Sequence, residues 1–146
     1  MQIGVESSRA VENKRIFVIE TDEIIRSALQ FMLHDENETH ELATLEQAYA
    51  KAREWKPDLV LLGLAIVQER GLKVLGDIAG RLPGAKVLLV ADSPEHPLAQ
   101  AGLRSGAHGV LGKPITIEAV RAKVDLVLGR RKLPMVPLGE LMPAFK

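Results

Sequence analysis

The sequence contains no cysteine, so disulfides and thiolate metal ligands are both excluded. Neither sign of charge is in excess: nineteen basic residues meet nineteen acidic ones, without the basic surplus of a nucleic-acid-binding protein. No apolar run approaches the roughly 20 residues that a membrane-spanning helix needs. Residues 1–14 mix charges with apolar residues and have no apolar core segment, unlike a signal peptide. These absences point to a soluble, cytoplasmic protein. What is present is ordinary for a globular chain: 146 residues, 47% hydrophobic and 26% charged, enough for one domain with a real core.

Two periodicities alternate along the chain. "RIFVIE" (15–20) is a short, almost wholly apolar run with β-branched residues, as expected of a strand covered on both faces. "TDEIIRSALQFMLHDE" (21–36) follows with Ile25, Leu29 and Met32/Leu33 at helical spacing, and Thr21 or Asp22 as N-cap. "THELA" (39–43) reads as an outer strand, and "TLEQAYAKAREW" (44–55) opens with Thr44 and Gln47 at capping-box spacing. "DLVLLG" (58–63) is the most buried-looking strand; a loop and then a helix over about 71–82 are expected after it. "KVLLVA" (86–91) is a fourth strand, with a helix over about 94–105 and Pro94 in its first turn. "HGVLG" (108–112) is a brief fifth strand, and "TIEAVRAKVDLVL" (116–128) the last helix.

Five strands alternating with five flanking helices predict an α/β fold, a doubly wound parallel sheet. Of the right-handed arrangements the flavodoxin-like order 2-1-3-4-5 fits best. The expected domain is 15–128, with 1–14 an N-terminal extension. Residues 129–146, "GRRKLPMVPLGELMPAFK", read as a C-terminal tail too short for an output domain; a docking segment for a partner is the alternative.

In that order the carboxyl ends of strands 1, 3, 4 and 5 converge. They deliver Glu20, Thr21 and Asp22; Gly63; Ala91 and Asp92; and Lys113 followed by Pro114. Acids after strand 1 with a Lys-Pro after strand 5 form a specific combination. Through "IFVIETDEIIR", "KPDLVLLGL", Gly71, "GAHGVLGKPI" and the final helix, the chain resembles the receiver domain of two-component response regulators from about 15 to 128. The resemblance implies a cis Lys113-Pro114 peptide. It also implies phosphoryl transfer from a kinase histidine to an aspartate ending strand 3, with magnesium, a lysine clamp and a hydroxyl that senses the product.

Against that pattern this chain departs at several positions together. Gly63 stands at the phosphoacceptor position. Thr21 replaces one of the paired acids that Glu20 begins, Ala91 replaces the hydroxyl residue, and Val110 the aromatic switch residue. Val67-Gln68 falls where the family carries a Pro-Gly turn. The expectation is a degenerate, phosphorylation-independent receiver with no enzymatic activity and no cofactor, its magnesium binding lost. Such a domain would bind other signalling proteins (a kinase, regulator or output protein). Self-association through the fourth predicted helix, fifth strand and fifth helix is a possible use of the face, with Arg104, Arg121 and Asp125 as candidate interface charges.

Alternatives stay open at this stage. Asp22 or Asp92 could serve as a substitute phosphoacceptor in a conventional response regulator. Lys113 pairs with Glu20 or Asp92, or else clamps a small anion in the space vacated at Gly63. Asp58 belongs at the far, entrance end of its strand. His34, His40, His96 and His108 lack paired metal-ligand spacing, and nucleic acid is a disfavoured partner despite the basic "GRRK". A nucleotide or flavin role would need a phosphate loop in place of the acidic "ETDE".

Overall fold

A computed structural model describes residues 14–130; all but residue 14 of the expected extension (1–14) and all but residues 129 and 130 of the expected tail (129–146) lie outside the described residues. Five parallel strands form one sheet in the order β2-β1-β3-β4-β5. They are β1 (Arg15–Ile19), β2 (Glu38–Leu42), β3 (Leu59–Gly63), β4 (Lys86–Val90) and β5 (Gly109–Leu111). The helices are α1 (Glu23–Leu33), α2 (Leu45–Lys51), α3 (Leu64–Arg70), α4 (Lys73–Arg81), α5 (Pro97–Arg104) and α6 (Ile117–Leu128).

The two-residue period of the strands divides the core. Ile16, Val18, Leu59, Leu61, Leu88 and Val90 face α1 and α6, meeting Leu29, Leu33, Val120 and Val124. Phe17, Ile19, Val60, Leu62, Val87 and Leu89 turn to the other side, against Leu45, Ala48, Val74, Leu75, Ile78 and Ala99. Covering both faces explains why the inner strands read as unbroken apolar runs. Only β2 and β5 remain as edges, and β2 is the less apolar, ETHEL.

The caps follow the sequence closely. Asp22 Oδ1 accepts hydrogen bonds from the backbone N–H of Ile24 and Ile25 at the start of α1. Thr44 Oγ1 accepts from Gln47 N, while the Gln47 side chain reaches back to Ala43 N, one residue before the cap. Thr116 caps α6 through Ala119 N.

Two expectations are corrected. There are six helices among the described residues, not five, because the segment after β3 is helical from Leu64 onward. Leu64, Ile66 and Val67 bury one side of α3, and no proline interrupts it where the family has one. Gly71, at φ +88°, ends α3 in a conformation that other residues rarely adopt. The other correction concerns α5, which begins at Pro97 rather than near Pro94. His96 Nδ1 accepts from Leu98 N and so supplies its cap.

Candidate functional site: the carboxyl end of the sheet

A cavity of about 330 Å³ opens where β1, β4 and β5 end. Glu20, Thr21 and Asp22 line it from β1, Ala91 and Asp92 from β4, and Lys113 from the loop after β5. Leu64, Ala65 and Gln68 of α3 also wall it, together with Ile25, Val90 and His96. The α3 contribution was invisible in the sequence, which pointed to a loop there.

Gly63 is the last residue of β3 and the N-cap of α3. A Cβ placed on it would lie 2.5 Å from Glu20 Oε1 and 2.8 Å from Glu20 Cδ, far inside van der Waals contact. The Glu20 side chain, immediately after the neighbouring strand β1, therefore lies in the volume that a side chain at position 63 would enter. Glu20 is only 7% exposed. Its Oε2 accepts from Asp22 N at 3.0 Å and from the Thr21 hydroxyl at 3.5 Å. Arg26 Nη1 donates to the Glu20 backbone carbonyl at 2.7 Å, tying this corner to α1.

Lys113 pairs with Asp92 at 3.2 Å, and its backbone N–H donates to the Asp92 carbonyl at 3.3 Å. Of the two partners open to it in the sequence, Asp92 is the one observed. Both side chains are well exposed, so the pair contributes at most about 1 kcal/mol. The Lys113-Pro114 peptide is cis, as the family resemblance implies. Gly112 before it has no room for a side chain: a Cβ there would lie 2.5 Å from Pro94 Cδ, so the two loops pack directly. Ala91 is buried, its N–H donating to Leu111 O at 3.0 Å, and Val110 is buried in β5 beside Leu89.

Among the described residues no cluster of three His, Asp or Glu is placed to hold a metal ion. Asp22 caps α1, Asp92 sits in the exposed pair with Lys113, and Glu20 is turned onto Gly63.

The histidines serve locally. His40 Nε2 lies 2.8 Å from Glu38 Oε2, and His34 Nδ1 3.0 Å from the Phe31 carbonyl. His108 Nδ1 accepts from Val87 N at 3.0 Å, bracing the entrance of β4. Burial, and after it the nearby Lys86, hold the His108 pKa below the ordinary value.

The candidate interface charges separate. Arg104 is exposed in the last turn of α5. Arg121 is not a free surface charge: its Nε donates to Met32 O at 3.1 Å, and its other nitrogens lie 3.6 Å from Asp35 and 3.8 Å from Glu36. Asp125 pairs with Arg130 at 3.0 Å. Arg121 turns to α1 because the acids and carbonyls ending that helix attract a guanidinium.

Residues 16–125 match the family model of the response regulator receiver domain, and the chain belongs to that family. It is a receiver domain of two-component signalling. The transcriptional regulatory protein LnrK of Bacillus subtilis (strain 168) is 26% identical over 136 residues, covering 90% of this chain and 62% of that protein. The alkaline phosphatase synthesis transcriptional regulatory protein PhoP of the same organism is 28% identical over 124 residues, covering 83% and 51%. The chain thus spans about half to three fifths of the length of these two relatives. A response regulator from Thermotoga maritima superposes with a TM-score of 0.72 at 19% identity, covering 80% of this chain and 98% of that one.

Proposed function

We propose that this receiver domain signals through protein contacts alone, without accepting a phosphoryl group and without enzymatic activity. The observation that carries this reading is the Glu20 carboxylate lying over Gly63, where a Cβ would meet it at 2.5 Å. Position 63 carries no nucleophile, and its nearest side chain is the Glu20 carboxylate, which follows β1. The hydroxyl and aromatic positions hold Ala91 and Val110, which offer a phosphate neither a hydrogen bond nor a ring to reorient.

A substitute acceptor is poorly supported. Asp22 is committed to the α1 cap and Asp92 to Lys113, and neither ends β3. A small-anion role fares no better. Lys113 already faces Asp92, and Glu20 and Asp22 line the same cavity with like charge that repels an anion. The partners are other signalling proteins, a kinase, regulator or output protein. The contact surface is the face of α5, β5 and α6, on which Arg104 and the half-exposed Leu126 stand; it also serves any homodimer. The working compartment is the cytoplasm.

Incubation with acetyl phosphate and magnesium, followed by phosphate-affinity electrophoresis, is expected to leave the chain unmodified. Magnesium at millimolar concentration is expected to leave the melting temperature unchanged. The melting temperature is the better readout than Trp55 fluorescence, since Trp55 lies under the Arg15 guanidinium at the opposite end of the sheet. Near-stoichiometric, acid-stable and base-labile labelling would overturn the proposal.

A further inference from the structure

The cavity at the carboxyl end of the sheet carries more negative than positive charge. Glu20, Asp22 and Asp92 line it, and Lys113 is the one cation among the described residues that do so. That cation is already engaged with Asp92 at 3.2 Å. His96 adds no positive charge as placed, since its Nδ1 accepts from Leu98 N and so keeps a lone pair. Arg26 stands close by but does not line the cavity: Nη1 donates to the Glu20 backbone carbonyl, and Nε lies 3.5 Å from Glu41. No described cation pairs with the carboxylate of Glu20 or of Asp22.

Acidic residues alone do not make a site, but Glu20 is only 7% exposed and half used. Its Oε2 accepts from Asp22 N and the Thr21 hydroxyl, whereas no described residue donates to Oε1, which lies over Gly63. A buried carboxylate oxygen without a donor costs free energy that a bound cation returns. Asp22 is in a similar state, with Oδ1 capping α1 and Oδ2 without a donor among the described residues. The rest of the wall is largely apolar, built by Ile25, Leu64, Ala65, Val90 and Ala91. A cavity of about 330 Å³ with an apolar wall and a few polar groups is of the size that takes a small ligand. A bare metal ion needs several converging ligands, and no three described His, Asp or Glu side chains are so placed. An ammonium group carries three donors of its own and needs only one or two acceptors, while its hydrocarbon chain uses the apolar wall.

We propose that this cavity binds a primary alkylammonium group, held by Glu20 Oε1 and the Asp22 carboxylate, with its hydrocarbon chain against Ile25, Leu64 and Val90. The group belongs to a free amine or to a lysine side chain of a partner protein. Lys113, held back by Asp92, is the competing cation of the same cavity. The site is independent of whether the domain accepts phosphate.

The test is a titration of the isotope-labelled full chain with n-butylammonium chloride, at neutral pH and constant ionic strength, followed by backbone amide chemical shifts. Saturable shifts are expected at Thr21, Ala65 and Asp92, with a Kd of the order of a millimolar for so small a probe. His108, at the opposite end of the sheet, should not respond. Sodium chloride, and n-butanol, which has the shape without the charge, should not saturate the site. Glu20→Gln should weaken binding about tenfold, as expected for a charge-assisted hydrogen bond made neutral. Lys113→Gln should strengthen it about threefold by removing the competing cation, a gain that a misfolded variant cannot imitate. Putrescine and Nα-acetyl-lysine methylamide separate the two sources: whichever binds more tightly assigns the site to a free amine or to a partner's lysine. Shifts that never saturate, an equal response to n-butanol, or an affinity indifferent to both substitutions would overturn the proposal. The titration contains neither phosphodonor nor magnesium, so its failure leaves the reading of signalling without phosphate standing.

Discussion

The two ends of the sheet use their side chains in opposite ways. At the entrance end Arg15 organises a dense cluster. Its backbone N–H donates to Asp58 at 2.9 Å, its guanidinium donates to Glu38 at 2.6 Å and to Lys56 O at 3.0 Å, and it lies 5.1 Å from the centre of the Trp55 ring. Asp58 thus stands at the strand entrance, where its position along β3 put it. At the carboxyl end, where the family performs its chemistry, one exposed ion pair and a buried carboxylate over a glycine remain. The backbone course is the same as in receivers that share the fold. The scaffold is held by apolar strands and entrance-end polar contacts, and the residues at the carboxyl end hold little of it together.

The largest expected effect breaks that contrast at the carboxyl end. Gly63→Asp should lower unfolding free energy by about 1–3 kcal/mol in urea titrations, through an added buried charge beside the Glu20 carboxylate, which must also shift aside. Glu20→Asp in the same chain should restore part of the loss, since the shorter acid withdraws; such coupling between touching residues is about 0.5–3 kcal/mol. Acetyl phosphate should still fail to label Gly63→Asp alone. Full stability with robust labelling of that variant would mean that the site is nearly intact.

A smaller effect sharpens the comparison from the other end. Arg15→Ala removes a charge-assisted hydrogen bond and a cation–π contact and should cost about 1–2 kcal/mol. Asp92→Ala, at the exposed pair, should cost less than about 1 kcal/mol. The Arg15 hydrogen bond, and after it that of His40, holds the Glu38 pKa below the usual glutamate value. Its stabilisation is therefore present above that ordinary value and lost as pH falls through the lowered one, so Arg15→Ala should flatten the acid limb of the stability curve. Equal costs at the two ends would remove the distinction.

The smallest effect concerns His108. Its folded pKa lies below the ordinary 6.5, so the unfolded chain binds more protons between the two values. Stability should then be complete above pH 6.5 and decline as pH falls through that window. His108→Gln should weaken this decline, by an amount limited by solvent exposure. An unchanged slope in urea midpoints against pH would show that His108 does not brace β4.

Much of this protein was legible residue by residue. The alternation of apolar runs with helical periods determined a doubly wound parallel sheet, because strands buried on both faces need apolar residues on both. The caps at Asp22, Thr44 and Thr116 were local chemistry and readable as such. So was the absence of a carboxylate at Gly63, once the ends of the strands could be aligned. Helix α3 escaped because it is only seven residues long, starts at Gly63 with no capping side chain, and its apolar residues continue the run of β3. The direction of Arg121 escaped because its attraction to Met32 O, eighty-nine residues away, exists only when α6 lies beside α1. Above all, only the tertiary structure decided that Glu20 occupies the space over Gly63. The two positions are forty-three residues apart, and a rotamer is chosen by the volume around it, which the sequence of one strand does not contain.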